Sequence, residues 1–116
     1  MKQKKEIPLY VASYNLLICI IKTEENIQKS IKYSVGQSIK EETIDLIKNI
    51  ARANTVSDKK ERHGWIEMAQ SNIETIIILQ RAVFELKSIP LKKYVELSEI
   101  IESVSRQLSG WKKSTT

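Results

Sequence analysis

The sequence predicts an all-α protein, an antiparallel up-down-up-down four-helix bundle. Apolar residues recur with a period near 3.6 in four segments, and no strand-like alternation competes with them. Three Gly and two Pro among 116 residues leave few turns, which argues against a strand-rich or disordered chain. Short connections between long consecutive helices make neighbouring helices antiparallel. A chain of this length fits one domain, so we expect residues 1–116 to form a single bundle.

The helix boundaries follow from capping and turn residues. We predict helices over residues 8–25, 34–56, 58–88 and 90–110. Pro8 and Pro90 suit the first turn of a helix, and Ser34 is a plausible N-cap after a polar stretch, residues 26–33, interpreted as a loop. Asp58 stands three residues before Glu61, the spacing of a capping box. Gly110 offers a left-handed position to close the last helix.

The first helix is unusually apolar. Apolar side chains point in every direction around its axis, and Ser13 and Asn15 are the polar breaks between residues 9 and 21. A helix that is apolar all round is expected to be buried all round. In a bundle of four helices each member normally keeps one face in water, so the second apolar face needs a cover from another chain.

We therefore predict a homo-oligomer. Tyr14 and Ile18 are placed at its interface because they lie on the surplus apolar face of the first helix. Ile78 joins them, since at 100° per residue it projects among the charged residues of the third helix rather than with the inward stripe. Arg81 lies beside Ile78, and two interpretations of its role remain open. Its side chain lies either at a subunit boundary or binding rim, or in a simple ion pair with Glu85.

Composition describes a basic protein of the cytoplasm. Nineteen Lys and Arg against fourteen Asp and Glu give a net charge of +5, which favours polyanionic partners. Cys19 is the single cysteine, so an intrachain disulfide is impossible and a reducing compartment is expected. The apolar run after the basic N-terminus is interrupted and lacks the cleavage site of a signal peptide. It is also shorter than the roughly 20 residues that cross a bilayer, so we predict no membrane association.

Residues with catalytic potential do not form a recognisable set. His63 stands alone near the start of the third helix, and Cys19 lies on an apolar helix without a cation beside it, which is typical of a packed thiol. Di-metal sites in bundles need Glu-x-x-His pairs, and neither such a pair nor a glycine-rich phosphate loop occurs. We predict a protein without catalytic residues, metal, cofactor or small-molecule substrate.

Most charged side chains are interpreted as solvated ion-pairing groups. Glu24 and Glu25 are expected to point outward. The expected pairs on helix surfaces are Lys48 and Arg52 with Glu41 and Asp45, and Glu102 with Arg106.

Four pieces of the sequence together resemble one known family. They are Ile7-Pro8-Leu9-Tyr10 with Tyr14-Asn15-Leu16-Leu17, Lys32-Tyr33-Ser34-Val35-Gly36, Ala53-Asn54, and Arg106-Gln107-Leu108-Ser109-Gly110-Trp111. In this order and spacing they resemble the accessory variability determinant family, whose members accompany the reverse transcriptases of diversity-generating retroelements. The resemblance covers residues 7–112, and its last piece is the most specific.

The resemblance implies a four-helix bundle assembled as a homopentameric ring with a basic surface. It implies that the ring associates with the retroelement reverse transcriptase and with RNA, DNA or both, and supports the copying of template RNA into mutagenised cDNA. The chain would then be an adaptor without an active site. The residues predicted to contact nucleic acid or the polymerase are Lys32, Arg52, Arg81, Arg106 and Lys112.

The sequence departs from the family in its loops. Ile27-Gln28 stands where members often have Phe-Pro, Ser109 stands where a second glycine is common, and Pro90 stiffens the last turn. Two alternatives remain open: the related bundle protein encoded within intervening sequences of bacterial 23S ribosomal RNA, and a purely structural helical oligomer.

Overall fold

The computed structural model describes residues 7–116, and it confirms an all-α four-helix bundle. Its long helices are α1 (Pro8–Glu24), α2 (Gln37–Thr55), α3 (Lys59–Glu85) and α4 (Leu91–Lys113). Helix α1 packs against α2 and α4, and α3 packs against the same two helices. Helices α1 and α3 therefore occupy opposite corners of the bundle, with one outer face each directed away from the other.

The core lies between the four inward stripes. Leu16, Leu46, Ile66 and Leu108 have no exposed surface, and together they represent all four helices. Burying aliphatic side chains in this way is the main stabilising contribution to such a bundle. Helix–helix packing, not intrinsic helix propensity, thus holds the elements in place.

Within the single chain, helix α1 is not buried all round. Its buried stripe includes Ser13, the residue that the sequence suggests as a polar break, while Val11, Tyr14 and Ile21 are exposed. The small hydroxyl of Ser13 fits where the helix approaches its neighbours, and its Oγ atom has no hydrogen-bond partner among the described residues. The surplus apolar face predicted from the sequence thus remains in solvent in one copy of the chain.

The predicted loop 26–33 and the predicted N-cap Ser34 are both wrong in part. A helical turn already begins over Lys29–Ile31 and continues as a π-helical turn over Lys32–Gly36, which leads directly into α2. Ser34 lies inside this helical stretch, where its Oγ atom donates a hydrogen bond to the carbonyl of Ser30. A hydroxyl that bonds four residues back stays within a helix instead of opening one.

The start of α3 follows the sequence prediction, whereas its end comes earlier than residue 88. The backbone amide of Glu61 donates to Asp58 Oδ2 at 2.9 Å, which confirms Asp58 as the N-cap. At the other end Lys87 adopts a left-handed φ of 58°. The amides of Ser88 and Lys87 donate to the carbonyls of Val83 and Phe84 at 3.1 and 2.9 Å, a Schellman closure.

Gly110 does not close α4. No glycine among residues 7–116 has a positive φ, and α4 runs on to Lys113. Trp111 explains the difference, because it continues the inward stripe three residues after Leu108 and packs against the core. Keeping that contact favours three more helical residues over a turn at position 110.

Candidate nucleic-acid and partner interface

The five basic residues predicted as contacts lie in two groups, not in one track. Arg52, Arg106 and Lys112 belong to the half of the bundle where α1 begins, here called the Pro8 end. Lys32 and Arg81 belong to the opposite half, where α1 ends, here called the Glu24 end. One continuous strip of positive charge therefore does not unite the five side chains on a single chain.

Two of these five cations are already paired. Arg81 Nε lies 3.0 Å from Glu85 Oε1, and both side chains are well exposed. The pKa of the Arg81 guanidinium is raised above its ordinary value, mainly by the hydrogen bond with Glu85. The negative charge of Glu85 raises it further. Lys112 Nζ lies 3.2 Å from Glu67 Oε2, which joins α4 to α3. In each pair a carboxylate lies beside the cation and partly compensates its charge.

Two others rest on aromatic rings. The Arg52 guanidinium lies 5.0 Å from the centroid of the Trp65 ring, and Lys32 Nζ lies 5.9 Å from the centroid of the exposed Tyr33 ring. The ion pairs expected for Arg52 with Glu41 and Asp45 do not form among the described residues. A cation over an aromatic face keeps its charge, and an arginine held this way presents its remaining N–H groups to a ligand.

Arg106 is exposed and makes no ion pair within residues 7–116. The i, i+4 pair with Glu102, expected from the sequence, is therefore wrong. Surface pairs of this kind contribute only a few tenths of a kcal/mol, so other rotamers compete with them easily. Arg106 therefore carries an unneutralised charge, as Arg52 and Lys32 do.

Residues from three of the four stretches that carry the family resemblance meet at the Pro8 end, whereas Lys32–Gly36 lies at the Glu24 end. A shallow groove there is lined by the start of α1, the end of α2 and the end of α4: Ile7, Pro8, Leu9, Asn54, Gln107, Gly110 and Trp111. None of these residues is charged. Three stretches that are far apart in the sequence thus build one surface that combines apolar side chains with two carboxamides.

Exposed apolar side chains lie on two opposite corners of the bundle. The first, called the α1 stripe, consists of Val11, Tyr14, Ile18 and Ile21, which follow one another at intervals of three, four and three residues. Tyr14 is 50% exposed, and Ile18 is partly buried. The second, called the Ile78 face, is a single isoleucine of α3 that is 68% exposed among charged side chains. Of the three residues predicted at an interface, Tyr14 and Ile78 are thus exposed in one copy of the chain and Ile18 is partly buried.

Glu24 is the residue that sequence reasoning misplaced most. It was expected to point outward with Glu25, yet Glu24 is only 6% exposed and Glu25 is exposed. Its Oε2 atom lies 3.4 Å from Lys40 Nζ of α2. The signal for burial was its position four residues after Ile20, on the inward stripe of α1.

His63 and Cys19 do not assemble with other reactive groups. His63 Nδ1 lies 2.8 Å from Thr115 Oγ1, and its Nε2 lies 3.8 Å from Glu67 Oε1. Cys19 is a partly buried free thiol. Within residues 7–116 no three His, Cys, Asp or Glu side chains converge as they would around a metal ion. None of the helices described is long and apolar enough to cross a membrane.

Comparison with known proteins yields no assignment: no protein-family model matches the chain, and no curated protein matches it.

Proposed function

We propose that this chain is a non-catalytic accessory protein of a diversity-generating retroelement, which binds the reverse transcriptase and nucleic acid as a ring of identical copies. The observation that carries the proposal is the groove at the Pro8 end. Its lining comes from three of the four stretches that resemble the accessory variability determinant family. The antiparallel topology brings these three stretches to one end of the bundle, where part of their surface stays open to a partner.

The exposed apolar side chains of α1 and α3 support head-to-tail assembly. Because the α1 stripe and Ile78 lie on opposite corners, the stripe of one copy can cover the Ile78 face of the next. Such a head-to-tail contact makes a ring where the rotation from copy to copy closes, and an open filament where it does not. A symmetric dimer through the α1 stripe would leave Ile78 in water.

Positive charge supports a polyanionic ligand. Each chain carries a net charge of +5, so a ring of several copies generates a field several-fold stronger than one copy does. Arg106, Arg52 and Lys32 are the members of the predicted set without an acidic partner among the described residues. We assign phosphate contacts to these three before Arg81 and Lys112.

The uncharged groove suits a protein segment better than a phosphate backbone. Asn54 and Gln107 carry carboxamides that can donate to and accept from a peptide backbone, while Pro8 and Trp111 offer apolar surface to a side chain. We therefore assign the groove to the polymerase and the cations to nucleic acid.

Co-expression with the reverse transcriptase of such a retroelement tests this assignment. A Cβ at Gly110, in the groove, or at Gly64, outside it, would meet no atom within 4 Å, so both positions accept a side chain. We expect Gly110→Glu to reduce the polymerase that co-purifies and Gly64→Glu to leave it unchanged. Equal recovery with both variants would remove the polymerase from the groove. If the unaltered chain retained neither polymerase nor RNA at about 50 mM salt, a purely structural oligomer would remain.

A further inference from the structure

Tyr33 is the most exposed of the large apolar side chains that the structure describes, at 70%. It lies in the π-helical turn Lys32–Gly36 at the Glu24 end of the bundle. Ile31 and Val35 of the same helical stretch pack against the core, and Tyr33 lies two residues from each, about 200° around the helix axis. The inward positions of these two neighbours therefore direct the Tyr33 ring into solvent.

Two lysines lie beside this ring. Lys32 Nζ is 5.9 Å from the centroid of the Tyr33 ring, and Lys29 stands four residues before Tyr33, about one helical turn away. Both lysines lack an ion-pair partner within residues 7–116. Their ammonium groups therefore keep their charge for an anionic ligand.

The segment around the ring is basic. Residues 26–40 contain three lysines and no Asp or Glu. The third lysine, Lys40, is partly compensated, because its Nζ atom lies 3.4 Å from Glu24 Oε2. Glu25 and Glu41 stand at the two borders of the segment along the chain. An exposed aromatic ring is thus combined with a local excess of positive charge.

A nucleotide strand with free bases matches both features. Each base offers a flat aromatic face that stacks on a tyrosine ring, and the phosphates on either side of it are anions that lysines bind. In a duplex the bases stack on one another, so the ring can use only an unpaired stretch. An acidic protein surface would satisfy the lysines, but it does not call for the ring.

We propose that Tyr33 stacks on an unpaired base of bound RNA, with Lys29 and Lys32 on the adjacent phosphates. The inference rests on the proposed function, which gives this chain a template RNA to bind. It adds the structural state of that RNA, single-stranded, and the end of the bundle that holds it. The contact is tolerant of sequence because every base has an aromatic face.

The probes are labelled oligo(U) of about 12 nucleotides, an RNA duplex of equal length and oligo(dT), each titrated with full-length protein at about 50 mM salt. Tyr33→Ala should weaken oligo(U) binding roughly fivefold or more, because one stacked base is lost from each copy, and should leave duplex binding unchanged. Tyr33→Phe keeps the ring face and should bind oligo(U) as the unaltered protein does. Tyr33→Leu keeps an apolar side chain without that face and should lose affinity as Tyr33→Ala does.

Leu91→Ala is the matched control for Tyr33→Ala. Leu91 is 63% exposed and stands directly before Lys92 and Lys93, so this change removes an exposed apolar side chain beside lysines without removing an aromatic face. Its affinity for oligo(U) should equal that of the unaltered protein. Photo-crosslinking of the unaltered chain to RNA that carries 5-iodouracil is a second measurement, independent of how any variant folds, and the crosslinked peptide should contain Tyr33.

Equal affinity of Tyr33→Ala and the unaltered chain for oligo(U), an equal loss with Leu91→Ala, or crosslinks that avoid Tyr33 would each overturn the proposal. Full affinity of Tyr33→Leu would show an apolar contact and not a stacked base. A lower mass of Tyr33→Ala in light scattering without RNA would assign the ring to a second copy of the chain, and a loss confined to oligo(dT) would assign it to DNA.

Failure of this inference is distinguishable from failure of the proposed function. If the unaltered chain bound neither oligo(U) nor the duplex, the nucleic-acid contacts of the proposed function would be lost and this site with them. If the unaltered chain bound RNA and Tyr33→Ala bound it equally well, the site at Tyr33 alone would be wrong.

Discussion

The backbone of Gly36 packs directly against the carboxylate of Glu24. A Cβ at position 36 would lie 2.9 Å from Glu24 Oε1 and 3.2 Å from the carbonyl oxygen of Ile31. Real Cβ atoms hardly ever approach another atom so closely, and Glu24 cannot swing away freely because it is held in the core with Lys40. This contact joins the end of α1 to the π-helical turn before α2.

The contact predicts that Gly36→Ala destabilises the protein by about 1–3 kcal/mol, because the methyl overpacks a closed site. Gly64→Ala and Gly110→Ala are matched controls: both glycines are helical and a Cβ there would meet nothing within 4 Å. Each control should raise the free energy of unfolding by about 0.5–1 kcal/mol, because Ala is more favourable than Gly inside a helix. Urea unfolding followed by circular dichroism measures the free energy of unfolding of all three variants. If Gly36→Ala were more stable than the unaltered protein, the close contact between position 36 and Glu24 would be contradicted.

Asp58 gives a second stability prediction. Its carboxylate accepts from the backbone amide of Glu61 at 2.9 Å at the start of α3. Asp58→Ala leaves that amide without its cap and should lower the free energy of unfolding by about 1 kcal/mol. Ser57→Ala, one residue earlier and exposed, changes no cap and should have little effect. Thermal unfolding of the two variants side by side compares them, and equal midpoints would show that the cap contributes nothing.

Local signals in the sequence predicted most of the fold. The Asp58 cap, the inward spacing of Ile101, Val104 and Leu108, and the four-helix arrangement all depend on residues within a turn or two of one another. Such contacts are visible as spacing in the sequence. The all-α bundle could therefore be predicted from the order of the residues alone.

Features that depend on distant contacts were missed. Gly110 has the residue type of a helix end, but the packing of Trp111 carries α4 past it. Glu24 has an inward position on α1 but the residue type of a surface position, and the partner that compensates its buried charge, Lys40, comes from another helix. The groove at the Pro8 end likewise unites three stretches whose proximity no local spacing reveals.

Nucleic-acid binding gives a prediction for Arg106. Because this side chain makes no ion pair among the described residues, Arg106→Gln should remove one phosphate contact from each copy. The slope of log affinity against log salt concentration should become shallower by roughly 0.7–0.9 for each phosphate that is no longer neutralised. Fluorescence anisotropy with labelled RNA, at about 50 to 200 mM salt, measures the slope.

Lys93→Gln is the matched control for Arg106→Gln. Lys93 lies on the same helix and its Nζ atom is 3.2 Å from Glu96 Oε2, so its charge is already compensated. The net charge changes equally in both variants, which separates a specific contact from the general field of the protein. Identical salt slopes for the two variants would mean that the positive charge acts diffusely.

Assembly gives the last prediction, since the α1 stripe and Ile78 lie on opposite corners of the bundle. In a head-to-tail ring each junction needs one of each face. Tyr14→Glu and Ile78→Glu should therefore each yield monomers that keep their helical circular dichroism, because a buried carboxylate at a junction is costly.

Mixing the two variants restores one intact junction, between the Ile78 face of the first and the α1 stripe of the second, so heterodimers should form and grow no further. Light scattering after size-exclusion chromatography measures these masses. If Ile78→Glu kept the mass of the unaltered protein while Tyr14→Glu did not, the contact would be symmetric through α1 and the ring would be ruled out.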